Sequence, residues 1–220
     1  MLVAVVLAKF CMGCNFAGAA LANADFSGAF YVGSNFDRAQ LTGASFHGAR
    51  MIAANFHNAD LRGARFEDVD CLACNFAGAS LDRATFSHVR FTAANFVGFA
   101  AAVDDVSLRE LLSGCIACNF SRGILAGRDL SGLPLISVDF SHTDLSGATL
   151  SGAVLCWYDG NALPRRTKCD QMNGAALAGA KLDHVQVCVD PLARSGCEAV
   201  TPDELRRESG AQLDGAILVQ

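Results

Sequence analysis

No stretch of this sequence approaches the roughly eighteen consecutive apolar residues that a membrane-spanning helix needs, so no span is expected. Charge is scarce: Asp, Glu, Lys and Arg make up 18% of the chain against 52% apolar residues. A chain this apolar does not remain disordered. There is no basic stripe, which argues against direct nucleic-acid binding through phosphates, and no extended acidic run. Tyrosine and tryptophan are also rare, two and one against fifteen Phe. The net charge of −5 belongs to one half of the chain: residues 1–100 carry seven acids and seven bases, residues 101–220 fifteen and ten.

What the sequence has in abundance is a count of five. From Cys11 to Phe96 every fifth residue is large and apolar or Cys, as in Phe16, Leu21, Phe26, Tyr31, Phe36 and Leu41. Two places before a centre stands a small residue, mostly Ala (Ala19, Ala24, Ala39, Ala44), and two places after it often Gly (Gly18, Gly28, Gly43). Neither a helical period of 3.6 nor a strand period of 2 holds such a register over this length. A flat-sided solenoid does.

Units such as Ala24-Asp25-Phe26-Ser27-Gly28, Ala59-Asp60-Leu61-Arg62-Gly63 and Thr143-Asp144-Leu145-Ser146-Gly147 resemble the motif of the pentapeptide-repeat family. The resemblance covers roughly residues 4–96, 115–155 and 172–187. It implies an all-β fold, a right-handed quadrilateral β-helix with one pentapeptide per side and twenty residues per coil. The residues support four sides on their own: sorted by twenties, the centres fall into Phe16/36/56/76/96, Leu21/41/61/81, Phe26/46/66/86 and the mixed set Cys11, Tyr31, Met51, Cys71, Phe91. Asn15, Asn35, Asn55, Asn75 and Asn95 form a further column able to hydrogen-bond from coil to coil.

The count slips in places. Asn119-Phe120 continues the Asn-Phe face after twenty-four residues, so residues 1–200 read as one solenoid with insertions near 97–114 and 156–170. Val103–Leu112 suits a short helix with Asp104, Asp105 or Ser107 near its start. In residues 201–220, Thr201-Pro202-Asp203-Glu204-Leu205 predicts a capping helix ended by Gly210, with Leu213–Val219 as a last strand. Leu2–Phe10 is the candidate cap at the other end.

Ten cysteines form five local pairs. Cys11/Cys14, Cys71/Cys74 and Cys115/Cys118 share the string Cys-x-x-Cys-Asn-Phe, with both sulfurs aimed inward at one corner. Cys11 and Cys71 lie three coils apart, about 14 Å, too far to share a zinc ion. A thioredoxin-type motif would need a helix after the first Cys. Small-residue filling of the core is the plain alternative. Cys156/Cys169 and Cys188/Cys197 bracket irregular loops and are candidate disulfides. They also resemble the Cys-bounded loops of exported bacterial members of the family. Met1–Phe10 lacks a basic, hydrophobic signal segment. A periplasmic or secreted location is expected, with the cytoplasm as the alternative.

No catalytic, cofactor or metal set stands out, and none is expected; the chain is not read as an enzyme. His47, His57, His88, His142 and His184 are expected to be solvated, unmatched with an acid at their own height. Asp25, Asp60, Asp82 and Asp144 stand singly. The mixed face carries outward apolar residues: Phe10, Met12, Phe30, Val32, Ile52 and Leu72, then Ile116 and Ile136, with Leu218 in an apolar tail. Such a stripe marks an interface. It is covered either by the Val103–Leu112 helix or by a protein partner or second copy, including a homodimer. The first functional class is thus a non-catalytic scaffold or protein-interaction module. The resemblance offers a second, because some members mimic DNA, bind DNA gyrase or topoisomerase IV and protect against quinolones. Arg38, Arg50, Arg62, Arg65, Arg83 and Arg90 interrupt the faces that such mimicry would use.

Overall fold

The computed structural model describes residues 9–100, 102–159, 166–189, 191–192 and 195–217. They fall into two compact units, one holding the residues up to Val97 with Ala101–Gly114, the other Gly98–Ala100 with Cys115 onward.

In the first unit strands and bridges pair residues that stand twenty places apart. Short strands β1 (Phe10–Met12), β2 (Phe30–Val32), β3 (Arg50–Ile52), β4 (Arg65–Glu67), β5 (Asp70–Leu72), β6 (Thr85–Ser87) and β7 (Arg90–Thr92) lie along the coil. β1, β2, β3, β5 and β7 stack in parallel with Phe10, Phe30, Arg50, Asp70 and Arg90 in register. β4 pairs with β6 one side away. Bridges Asn15↔Asn35↔Asn55↔Asn75↔Asn95 and Ala20↔Gln40↔Asp60↔Ser80 complete four sides. This is a quadrilateral β-helix.

The repeat builds each corner for a local reason. The Ala before a centre donates its N–H to the previous centre's carbonyl, as Ala19 does to Phe16 and Ala44 to Leu41, closing a turn. At Ala39, Ala44 and Ala54 its side chain is buried, and Val69, Val89 and Val138 fill the same inward slot elsewhere. The residue ahead of it has positive φ, 64° at Gly18 and 69° at Gly43, where a Cβ is strained.

Two Phe walls and one Leu wall fill the coil. Rings of one wall stack at 4.7–4.9 Å (Phe36–Phe56, Phe56–Phe76), and those of the opposite wall at 5.0 Å (Phe26–Phe46, Phe46–Phe66). The walls meet edge-on, Phe46 against Phe56 at 88°. Outside the core, the Asn column donates upward: Asn55 Nδ2 to Asn35 Oδ1 at 3.2 Å, Asn75 to Asn55 at 3.0 Å. Helix α1 (Asp105–Ser113) starts at Asp104, whose side chain accepts from Ser107 N–H. It buries Leu108, Leu111 and Leu112 and packs against β6.

The second unit opens with β8 (Cys115–Ile116) and repeats the twenty-residue spacing through Asn119↔Asp139, Ile124↔Asp144 and Pro134↔Val154. The next step is longer: Asp139↔Gln171, Asp144↔Ala176 and Thr149↔Lys181 are each thirty-two apart. The extra residues leave the coil as an antiparallel pair, β9 (Val154–Asp159) and β10 (Arg166–Cys169), with Cys156 opposite Cys169. β11 (Gln186–Cys188) runs parallel to β9, and β12 (Glu198–Ala199) antiparallel to β11. Helix α2 (Pro202–Ser209) is capped by Thr201 and ended by Gly210 at φ 71°. Ile217 bridges Lys181 on the last coil. Leu218 and Val219, like Leu2–Ala8, lie outside the described residues. Among the described residues no helix is long and apolar enough to cross a membrane.

Candidate interaction face

Alternation along β1, β2, β3, β5 and β7 turns the middle residue of each strand inward, buried in all but β1, and its neighbours outward. Two parallel columns result. One reads Met12, Val32, Ile52, Leu72, Thr92, the other Phe10, Phe30, Arg50, Asp70, Arg90. Phe10, Met12, Ile52 and Leu72 are 61%, 70%, 36% and 47% exposed; Phe30 and Val32 are half-buried. The Phe10 and Phe30 rings stack at 5.6 Å. Below them Asp70 takes both Nε and Nη2 of Arg90, the latter at 2.6 Å, and faces Arg50 Nε at 3.8 Å. The Arg90 hydrogen bonds hold the Asp70 carboxyl below the ordinary range. A shallow depression runs over this face between Phe30, Arg50, Ile52, Leu72 and Arg90.

Helix α1 does not cover the stripe. It packs against β6, on the Phe66/Phe86 side, because Leu108, Leu111 and Leu112 continue the apolar layer there. In the second unit Ile116 bridges Ile136; the first is exposed, the second half-buried. Leu218 is outside the described residues.

Four of the five cysteine pairs are bonded: Cys11–Cys14, Cys71–Cys74, Cys156–Cys169 and Cys188–Cys197. Core filling is therefore not the whole role of the Cys-x-x-Cys strings. A strand end followed by one left-handed residue, such as Ala73 at φ 55°, brings the two sulfurs together across the corner. The third string has the same turn, Ala117 at φ 56°, yet Cys115 and Cys118 are buried thiols. Burial pushes the Cys115 thiol up, with Cys118 beside it adding to the effect.

The expectation of unmatched histidines is corrected. His57 Nδ1 lies 2.8 Å from Asp37, His47 Nδ1 3.2 Å from Glu67, and His88 Nδ1 3.6 Å from Asp68. Each pair is twenty residues apart, so the register that stacks the Phe rings also stacks these side chains. The signal was present in the spacing. Of the acids that stand singly, Asp25 and Asp144 are turn braces, accepting from Ser27 N–H at 2.9 Å and Ser146 N–H at 3.0 Å, whereas Asp82 reaches twenty residues on to accept Ala102 N–H at 2.8 Å. Asp60 braces Arg62 N–H and also takes the Arg62 guanidinium, which brings its pKa down to about 2.

Residues 32–68, 70–98 and 115–155 match the family model for pentapeptide repeats, in eight copies. No curated protein matches the chain. Among solved structures it is similar to QnrB1, a plasmid-mediated fluoroquinolone resistance protein, at 14% identity and TM-score 0.51, over 96% of this chain and 92% of the other. A pentapeptide repeat protein of the Arabidopsis thaliana thylakoid lumen shares 28% identity over 50% and 79% of the two chains, TM-score 0.30. HetL of the cyanobacterium Nostoc, involved in the regulation of heterocyst differentiation, shares 23% over 80% and 73%, TM-score 0.30. With its coils built from one pentapeptide per side and eight copies of the repeat matched, this chain is a member of the pentapeptide-repeat family.

Proposed function

We propose that the chain is a non-catalytic β-helical scaffold whose first unit docks a partner protein on the outward face of β1, β2, β3, β5 and β7. The observation that carries this is the outward column Met12, Val32, Ile52, Leu72, exposed at Met12, Ile52 and Leu72, standing beside Arg50, Asp70 and Arg90. Stacked strands hold these side chains at a fixed spacing of about 4.8 Å, so little backbone order is lost on binding. Two arginines share one carboxylate, which leaves positive charge in excess. A partner surface of apolar side chains flanked by a carboxylate complements it. Four disulfides support a periplasmic or secreted location over a cytoplasmic one. The DNA-mimicking reading, with gyrase or topoisomerase IV as target, has less support. A mimic needs carboxylates free to meet a basic groove, whereas Asp60 and Asp70 are engaged by arginines.

The test places a photo-crosslinking residue at Thr92, beside the column. The captured protein is purified and measured against wild type, Ile52→Asp/Leu72→Asp and a control on another face, Gln40→Lys. The proposal expects binding to drop by roughly tenfold or more in the charged variant and to persist in the control. Equal binding by the charged variant, or crosslinks only to a second copy of this chain, would overturn it.

A further inference from the structure

Two side chains on the β4–β6 side and two at its adjoining corner make a group that the docking face does not use. His47 and Glu67 follow Phe46 and Phe66, one above the other on successive coils. Asp68 and His88 occupy the next position along, at the corner, with φ 55° and 49°. The backbone fixes their heights: Gly48 N–H donates to Glu67 O at 2.8 Å and Asp68 N–H to Ser87 O at 3.0 Å. His47 Nδ1 stands 3.2 Å from Glu67 Oε2 and 4.0 Å from Asp68 Oδ2. The donor atoms of His47, Glu67 and Asp68 all lie within 4.8 Å of one another.

We infer that this corner is a binding site for a divalent transition-metal ion, zinc being the probe of choice, with His47, Glu67 and Asp68 as ligands. Tetrahedral zinc with bonds of about 2.0–2.1 Å separates neighbouring ligand atoms by about 3.3–3.4 Å. The His47–Glu67 distance already meets that edge, the His47–Asp68 distance of 4.0 Å exceeds it by well under 1 Å, and all three ligand atoms lie within 4.8 Å of one another. One imidazole and two carboxylates neutralise a divalent charge and suit zinc better than the all-oxygen sets that calcium and magnesium prefer. The fourth position faces water, since all three residues are exposed.

Asp68 is oriented by a second histidine. Its other oxygen, Oδ1, lies 3.6 Å from His88 Nδ1, so Oδ2 is left facing His47. His88 is itself held by α1, whose Glu110 Oε2 accepts the His88 backbone N–H at 3.1 Å. His88 is thus a positioning residue, of the kind that tunes a ligating carboxylate from behind. A bound ion would tie the coil carrying His47 to the one carrying Glu67 and Asp68, a side-chain staple parallel to the backbone ladder.

The experiment is calorimetric titration of the metal-stripped, disulfide-intact chain with zinc chloride in a non-coordinating buffer. One ion per chain is expected. His47→Ala should weaken binding at least tenfold, Glu67→Gln similarly, and His88→Asn by a smaller factor in the range that outer-shell changes give, about tenfold. His57→Ala, which removes the imidazole paired with Asp37 on another side, should leave affinity unchanged. All four positions are on the surface, and circular dichroism of each variant is the check that the coil is kept. Absence of zinc binding, or binding that His47→Ala and Glu67→Gln both leave intact, overturns the assignment. The second result would place the ion elsewhere, for instance on the Cys115/Cys118 thiols.

Discussion

Truncating Phe56 to Ala tests the physical account of the coil most directly. Phe56 has no exposed surface; it is stacked between Phe36 at 4.7 Å and Phe76 at 4.9 Å and meets the edge of Phe46 at 5.6 Å. Phe→Ala in a packed core costs about 3–5 kcal/mol, more where the walls cannot relax into the space. Here they are held apart. The Asn35↔Asn55↔Asn75 bridges fix the coil spacing on the same side, and the Asn amides repeat it at 3.0–3.2 Å. The upper part of the range, about 4–5 kcal/mol, is therefore expected. Phe56→Leu separates volume from ring geometry. It leaves a smaller gap but forfeits three aromatic pairs, each worth about 0.5–1.5 kcal/mol beyond area, so about 2–3 kcal/mol is expected. Repeat arrays unfold locally as well as globally, so urea unfolding is to be paired with hydrogen exchange of the amides of residues 50–60. An Ala variant costing below about 1 kcal/mol, or a Leu variant as costly as Ala, would refute the stacked-wall account.

Two further outcomes follow from buried groups in the second unit. Asp170 is buried, accepts Val138 N–H on Oδ1 at 2.8 Å and has no partner on Oδ2, so desolvation raises its pKa well above the ordinary value. Its native environment favours the neutral acid: that contribution is full below an unfolded pKa of about 3.9 and is lost as pH rises toward the folded one, at up to about 1.4 kcal/mol per pH unit. Asp170→Asn cannot ionise, so its stability relative to wild type should climb from pH 3.5 upward. A difference flat to pH 7 in urea melts would exclude a buried carboxyl. Alkylation in denaturant should tag two thiols, Cys115 and Cys118, before reduction and all ten cysteines after it; ten tagged at once would remove both the disulfides and the argument for an oxidising compartment.

The coil was legible because its cause is local and repeated. Each five-residue unit carries its own core residue, its own Ala and its own corner, so the count of five and the sorting by twenty gave the four walls before any coordinates. Helices α1 and α2 were legible from their caps, Asp104, Thr201 and Pro202. The outward apolar column was also visible, since Met12, Val32, Ile52 and Leu72 sit at one place in the period. What the sequence left open was which wall α1 would cover. Its apolar stripe fits any exposed end of the core, and only its packing against β6 decides. The three Cys-x-x-Cys strings were likewise indistinguishable, because their turns are the same and the bonded and free pairs differ in sulfur chemistry alone.

The histidines show how far the same logic extends. Helical or strand neighbours are sought a few residues away, and on that scale His47, His57 and His88 are isolated. In a coil of twenty, contact is set by a difference of twenty, and at that distance stand Glu67, Asp37 and Asp68. Each outward position is therefore one rung of a column whose chemistry changes without disturbing the core. One column of the first unit is mostly apolar, another passes from Phe10 and Phe30 to Arg50, Asp70 and Arg90, and a third gathers imidazole with carboxylate. This freedom holds only while the register holds. An extra residue inside a side would move every later side chain from wall to corner, which explains why the longer step of the second unit is set apart as the β9–β10 pair, closed by Cys156–Cys169, before Gln171 stands opposite Asp139.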